Sequence, residues 1–166
     1  MIRIKSITAT SLLVISQIFS SCSFAAPPVQ NDVNTANVAF SRGHYRHAAV
    51  QYQKLLQSEP DNAAYRMRLA ESYEFSGDLR QAEDHAAKVL TSNRRNLEAV
   101  LLMGRIRGRQ EDWISAKAYY EQAISIDKNN ATSHLGLGQA FMQLGDEQSA
   151  DSAFAEYRRL TGTPTP

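Results

Sequence analysis

Laid against itself with a period of 34, the chain aligns without a gap from residue 29 onward, and no other feature constrains its fold as tightly. The blocks run 29–62, 63–96, 97–130 and 131–164. One column reads Ala48, Ala82, Ala116, Ala150, and another reads Ala36, Ala70, Gly104, Gly138. A third holds Tyr52, Ala86, Tyr120 and Phe154. Gly43, Gly77 and Gly145 share a column with Glu111, while Leu56, Leu90 and Ile124 form an aliphatic column that ends in Arg158.

A block of this length suits two helices of roughly a dozen residues each, joined by a short turn. Small residues at two columns let neighbouring helices approach, and the aromatic column fills the space one turn away. The glycines supply a left-handed turn conformation that residues with a side chain adopt reluctantly. No block can bury its apolar face alone, so stability must come from stacking.

These columns resemble the tetratricopeptide repeat across all four blocks. The likeness is clearest in "GHYRHAAVQYQKLLQSEPDN" and "LGLGQAFMQLGDEQSADSAF". The family pattern of Leu-Gly, aromatic, Gly, Ala and aromatic is met in block four by Leu137, Gly138, Phe141, Gly145, Ala150 and Phe154. Block two supplies Leu69, Ala70, Tyr73, Gly77 and Ala82. Block three departs, with Arg107 at the aromatic position and Glu111 at the glycine, and only block one keeps the closing proline, Pro60. The resemblance implies an all-α fold, a right-handed α-solenoid of four helix-turn-helix units. Arg158, beside Tyr157 and Leu160, either covers the last apolar face or leaves a strip open to a partner or a second copy.

In this family the first helix of each block lines a concave face. Carried over, its peptide-binding positions are Asn37 and Phe40 with Val33 and Ser41 in block one, and Met67, Arg68, Glu71, Glu74 and Phe75 in block two. Block three gives Leu101, Arg105 and Arg109 with Leu102, and block four gives Leu135, Gln139 and Met142 with Gln143. Apolar anchors beside an acidic and a basic pair suit an extended peptide or an amphipathic helix. Alternatively, Glu71/Glu74 and Arg105/Arg109 pair with one another on a solvated face. The carboxylate clamp of chaperone-binding members is not expected: Asn37 and Arg68 match it, but Val33, Glu98 and Leu102 stand where bases belong.

Residues 1–25 read as an export signal. Arg3 and Lys5 precede a mostly apolar stretch from Ile7 to Phe19, shorter than the about 20 residues a membrane span needs. Two cleavage sites compete. Ile18-Phe19-Ser20-Ser21-Cys22 resembles a lipobox, which would make Cys22 the lipidated first residue; Ser23-Phe24-Ala25 suits ordinary cleavage after Ala25.

The rest of the chain excludes more than it suggests. With a net charge of +1 there is no electrostatic footprint for nucleic acid, and the single cysteine cannot build a disulfide framework. No phosphate-cradling loop or nucleophile signature is present, so no catalytic residue, metal or cofactor is assigned. His44 and His47 lack a third ligand nearby and read as exposed; His85 and His134 read as packing or surface groups, and Trp113 as core. The expected function is a non-catalytic scaffold for protein partners, exported and touching a membrane only through its N-terminal lipid. Its organisation resembles the assembly lipoproteins of pili and secretion systems, TadD-type or pilotin-like, at the periplasmic face of the outer membrane or free in the periplasm. The alternative is an accessory subunit that recruits an envelope enzyme complex acting on cell-wall or exported polysaccharide.

Overall fold

The computed structural model describes residues 30–162; the expected export signal with Cys22, and residues 163–166, lie outside them. Eight helices follow in order: α1 (Gln30–Ser41), α2 (Tyr45–Ser58), α3 (Ala63–Ser76), α4 (Leu79–Ser92), α5 (Leu97–Arg109), α6 (Trp113–Ile126), α7 (Ala131–Gln143) and α8 (Glu147–Thr161). The starts of α3, α5 and α7 recur every 34 residues, as do those of α2, α4, α6 and α8.

Two columns of caps start these helices. Asn62, Asn96 and Asn130 accept the amide hydrogens of Tyr65, Ala99 and Ser133 at the heads of α3, α5 and α7. Asp78, Asp112 and Asp146 do the same for Gln81, Ser115 and Ser149 at the heads of α4, α6 and α8. The turn inside each block is stapled by one recurring bond, the amide of His44, Asp78, Asp112 or Asp146 to the carbonyl of Ala39, Tyr73, Arg107 or Phe141. That turn needs a residue with positive φ: Gly43, Gly77 and Gly145 provide it, and Glu111 is forced into it at φ 61°.

Packing runs between sequence neighbours, and in addition α3 touches α5 and α5 touches α7. The even-numbered helices make no comparable contact with one another, so the odd helices form the tighter, inner side of a solenoid. Ala48, Ala82, Ala116 and Ala150 are all fully buried. Tyr120 wedges between α5 and α7, where a Cβ on Gly104 would meet its ring at 2.9 Å and one on Gly136 would overlap it. Phe154 fills the corresponding space over Gly138. Arg107 takes the place of an aromatic residue by reaching back to the Glu83 carboxylate on α4. At the last block, Arg158, Tyr157 and Leu160 are each half-buried, and none of the large exposed hydrophobic residues belongs to α8. Trp113 is half-buried beside Gly108.

Candidate functional site

The inner face is built from α1, α3, α5 and α7, and solvent reaches only part of what the sequence assigned to it. Met67 and Leu101 are corrections: they are 3% and 8% exposed and belong to the interior between blocks. Leu102 is likewise fully buried. Neighbouring helices pack on both sides of α3 and α5 and cover this column, whereas Val33 and Leu135 in the end blocks stay half-buried.

Of the two readings of the charged pairs, the structure favours mutual pairing for Glu74 and Arg105, in a buried rather than a solvated setting, and gives Glu71 a different partner. Glu74 is buried and holds Arg105 through two hydrogen bonds, Nε to Oε1 at 2.9 Å and Nη2 to Oε2 at 2.8 Å. Burial works against the charge on Arg105, but the hydrogen bonds and negative charge of Glu74 overcome it and hold its pKa above the usual value. Arg109 donates to the Glu74 carbonyl, so Arg105 and Arg109 of α5 together clamp the end of α3. Glu71 is taken by Arg68 at 3.1 Å on its own helix. These charges therefore pair with each other first, and reversing Arg105 would strip a buried carboxylate of its partner.

The exposed large aromatic residue of this face lies where block one meets block two. Phe75 is 51% exposed, in a column otherwise occupied by Ser41, Arg109 and Gln143. Its ring stacks on Tyr45, with centroids 4.8 Å apart and planes 23° apart, and meets Phe40 edge-on at 5.9 Å. Phe40 and Tyr45 close the triangle at 5.5 Å, and the Arg68 guanidinium lies 5.2 Å from the Phe40 centroid. A shallow depression beside this cluster is lined by Gly43, His44, Tyr45, Arg46, His47 and Ser76. Asn37 is exposed, with its carbonyl accepting the Tyr52 hydroxyl at 2.7 Å. Gln139 and Met142 are exposed at the far end of the face.

Tyr45 was not among the sequence-derived site residues, because it begins a second helix and shares its column with Leu79 and Trp113. Charge around the turn gives the available signal: no acidic residue occurs from Val33 to Ser58. His44 and His47 are exposed there, with His47 Nε2 hydrogen-bonded to the Gln51 side chain at 2.8 Å. Among the described residues no group of histidine, cysteine and carboxylate side chains is arranged to hold a metal, and no helix is long and apolar enough to cross a membrane.

Comparisons with known proteins agree with this architecture. A family model described as "Tetratricopeptide repeat" matches residues 39–106, and one described as "TPR repeat" matches residues 105–145. The chain is 28% identical over 158 residues to the tetratricopeptide repeat and J domain-containing co-chaperone DNJ1 of Fusarium oxysporum f. sp. lycopersici. That match covers 95% of this chain and 30% of the relative's length. MamA from Desulfovibrio magneticus RS-1 superposes with a TM-score of 0.72 at 16% identity, covering 81% of this chain and 76% of that one. A thermophilic TPR protein of Thermus thermophilus gives 0.71 at 18% identity, covering 81% and 75%. At these identities the two structures speak for the fold alone.

Proposed function

This chain belongs to the tetratricopeptide-repeat family, and on that footing we propose that it is a non-catalytic adaptor which holds a protein partner on its inner face. The observation that carries the proposal is Phe75, a large aromatic residue half exposed over Phe40 and Tyr45 at a position where the other blocks carry polar or charged side chains. An apolar platform of this kind suits burial against a partner's side chain, where aromatic anchors contribute most of the binding energy. The family models describe repeats rather than an enzyme.

The setting we propose is the bacterial envelope, with Cys22 lipidated and the repeats serving the assembly of a pilus or secretion machine. Arg3, Lys5, the apolar stretch to Phe19 and the small residues before Cys22 support that reading. Two acyl chains or more would anchor the protein stably, at about 0.8 kcal/mol per buried methylene.

The test combines fractionation with capture from an envelope extract. Wild-type protein should sediment with membranes and retain a partner. Cys22→Ala should be released or remain uncleaved, and Phe75→Ser should lose the partner while staying folded. A mature N-terminus at Ala26 would remove the lipid anchor, and partner capture unchanged by Phe75→Ser would remove the inner-face assignment.

A further inference from the structure

We infer that the turn between α1 and α2 and the neighbouring aromatic cluster form a docking site for an acidic peptide segment carrying an aromatic or long aliphatic side chain. The inference rests on the adaptor reading above and specifies the chemistry of the partner. Arg42 and Arg46 flank the turn, both exposed, and neither forms an ion pair or a side-chain hydrogen bond among the described residues. Between Val33 and Ser58 the sequence holds no carboxylate, so the charged side chains that this turn itself contributes are all basic.

A second observation is independent of charge. The column that caps the second helix of each block reads Asp78, Asp112 and Asp146, and each aspartate accepts an amide hydrogen of its helix. Block one carries His44 there, and α2 begins without a side-chain cap. A residue that forgoes a stabilising role kept by its three counterparts marks a place where local structure yields to another demand. An aspartate at position 44 would also stand between Arg42 and Arg46 and cancel part of their charge.

The geometry joins the two features. The depression lined by His44, Tyr45 and Arg46 opens beside Ser76, next to the stacked pair of Tyr45 and Phe75. A segment whose apolar side chain covers the exposed Phe75 ring therefore brings its neighbouring residues to the Arg42–Arg46 rim, where carboxylates are complementary. A polyanion of uniform charge does not fit as well. In the equivalent turn of block two Asp78 is offset by Arg80, but the turns of the last two blocks present Glu111 and Asp112, then Asp146 and Glu147, which would repel a duplex or an anionic membrane running along that edge.

The test selects phage-displayed random dodecapeptides on the immobilised full-length protein, then measures a synthetic consensus peptide by fluorescence anisotropy. Enriched sequences should combine acidic residues with an aromatic or long aliphatic one. Arg42→Glu/Arg46→Glu should weaken the consensus peptide by about tenfold at low salt, chiefly through slower association, and Phe75→Ser should weaken it comparably. Lys88→Ser, on α4 of the outer side, should leave it within twofold. Enrichment of basic or uncharged peptides would overturn the inference, as would a consensus peptide indifferent to the Arg42/Arg46 reversal. Tighter binding of a 20-base-pair duplex or of phosphatidylglycerol vesicles through the same arginines would also overturn it. Loss of binding in Met142→Ser, at the other end of the inner face, with retention in the rim variants would leave the inner-face adaptor standing and remove this site. Absence of any enriched peptide would count against both.

Discussion

Glu74 and Arg105 face each other across the boundary between blocks two and three, Glu74 being 3% exposed and its carboxylate gripped at two oxygens by the guanidinium. They are the most deeply buried of the ion pairs among the described residues, and with Arg109 on the Glu74 carbonyl they fix the register of α5 against α3. Arg105→Met leaves Glu74 buried without its partner and should destabilise the protein by about 3 kcal/mol, the low end for such a pair because Arg105 keeps some contact with water. Glu74→Leu/Arg105→Met should recover most of that loss. Urea unfolding followed by circular dichroism measures both; equal stability of Arg105→Met and wild type would mean that the pair does not hold the interface.

Two positions in the turns depart from their columns, and restoring the column should stabilise the fold. Glu111 carries a side chain at φ 61°, so Glu111→Gly should gain about 1 kcal/mol by removing the left-handed strain. His44→Asp should gain a similar about 1 kcal/mol by capping α2. The two changes should differ in function: Glu111→Gly leaves peptide binding intact, whereas His44→Asp weakens it. Thermal melts read beside the anisotropy titration separate these outcomes.

Gly136 is needed for close approach. A methyl group there runs into the buried Tyr120 ring, which α5 and α7 hold between them. Gly136→Ala should therefore cost about 1–3 kcal/mol through overpacking, outweighing the about 1 kcal/mol that alanine gains in helix propensity. A more stable Gly136→Ala variant would show that Tyr120 can move aside.

His85 should make stability depend on pH. It stacks on Tyr73 at 5.7 Å, and its Nδ1 is buried without a hydrogen-bond partner. Burial lowers its pKa, Lys88 and Arg66 lower it further, and Asp84 opposes them weakly. Because the folded protein resists protonation where an unfolded imidazole accepts it near 6.5, this contribution is intact above that pH. It then declines as pH falls toward the lower folded-state value. Between pH 7 and 5, His85→Tyr, which matches Tyr119 in the next block, should lose less stability than wild type. The cap aspartates Asp112 and Asp146 act in a separate window: hydrogen bonds from Ser115 and Ser149 lower their pKa, so their contribution is lost only as pH falls below about 3.8.

The sequence showed the architecture plainly because a solenoid repeats its contacts at a fixed spacing, so Ala116 and its column could be read as interior without a structure. It was less direct about the inner face. Val33, Met67, Leu101 and Leu135 are apolar in every block, which marks a packed column, and its middle members prove buried. Glu74 and Arg105 lie 31 residues apart, off the 34-residue register, so their pairing follows from the angle between α3 and α5 rather than from any column. The cap columns that begin at Asn62 and Asp78 were not read from the sequence; the structure shows their role, and with it the departure of His44 from the aspartates.

The most direct test of the adaptor assignment is photo-cross-linking in cells, with benzoylphenylalanine replacing Phe75 on the inner face and, separately, Lys88 on the outer face. A protein adduct that forms at position 75, is absent at position 88, and is reduced by Arg42→Glu/Arg46→Glu is the predicted result. Adducts at position 88 with none at position 75 would contradict it.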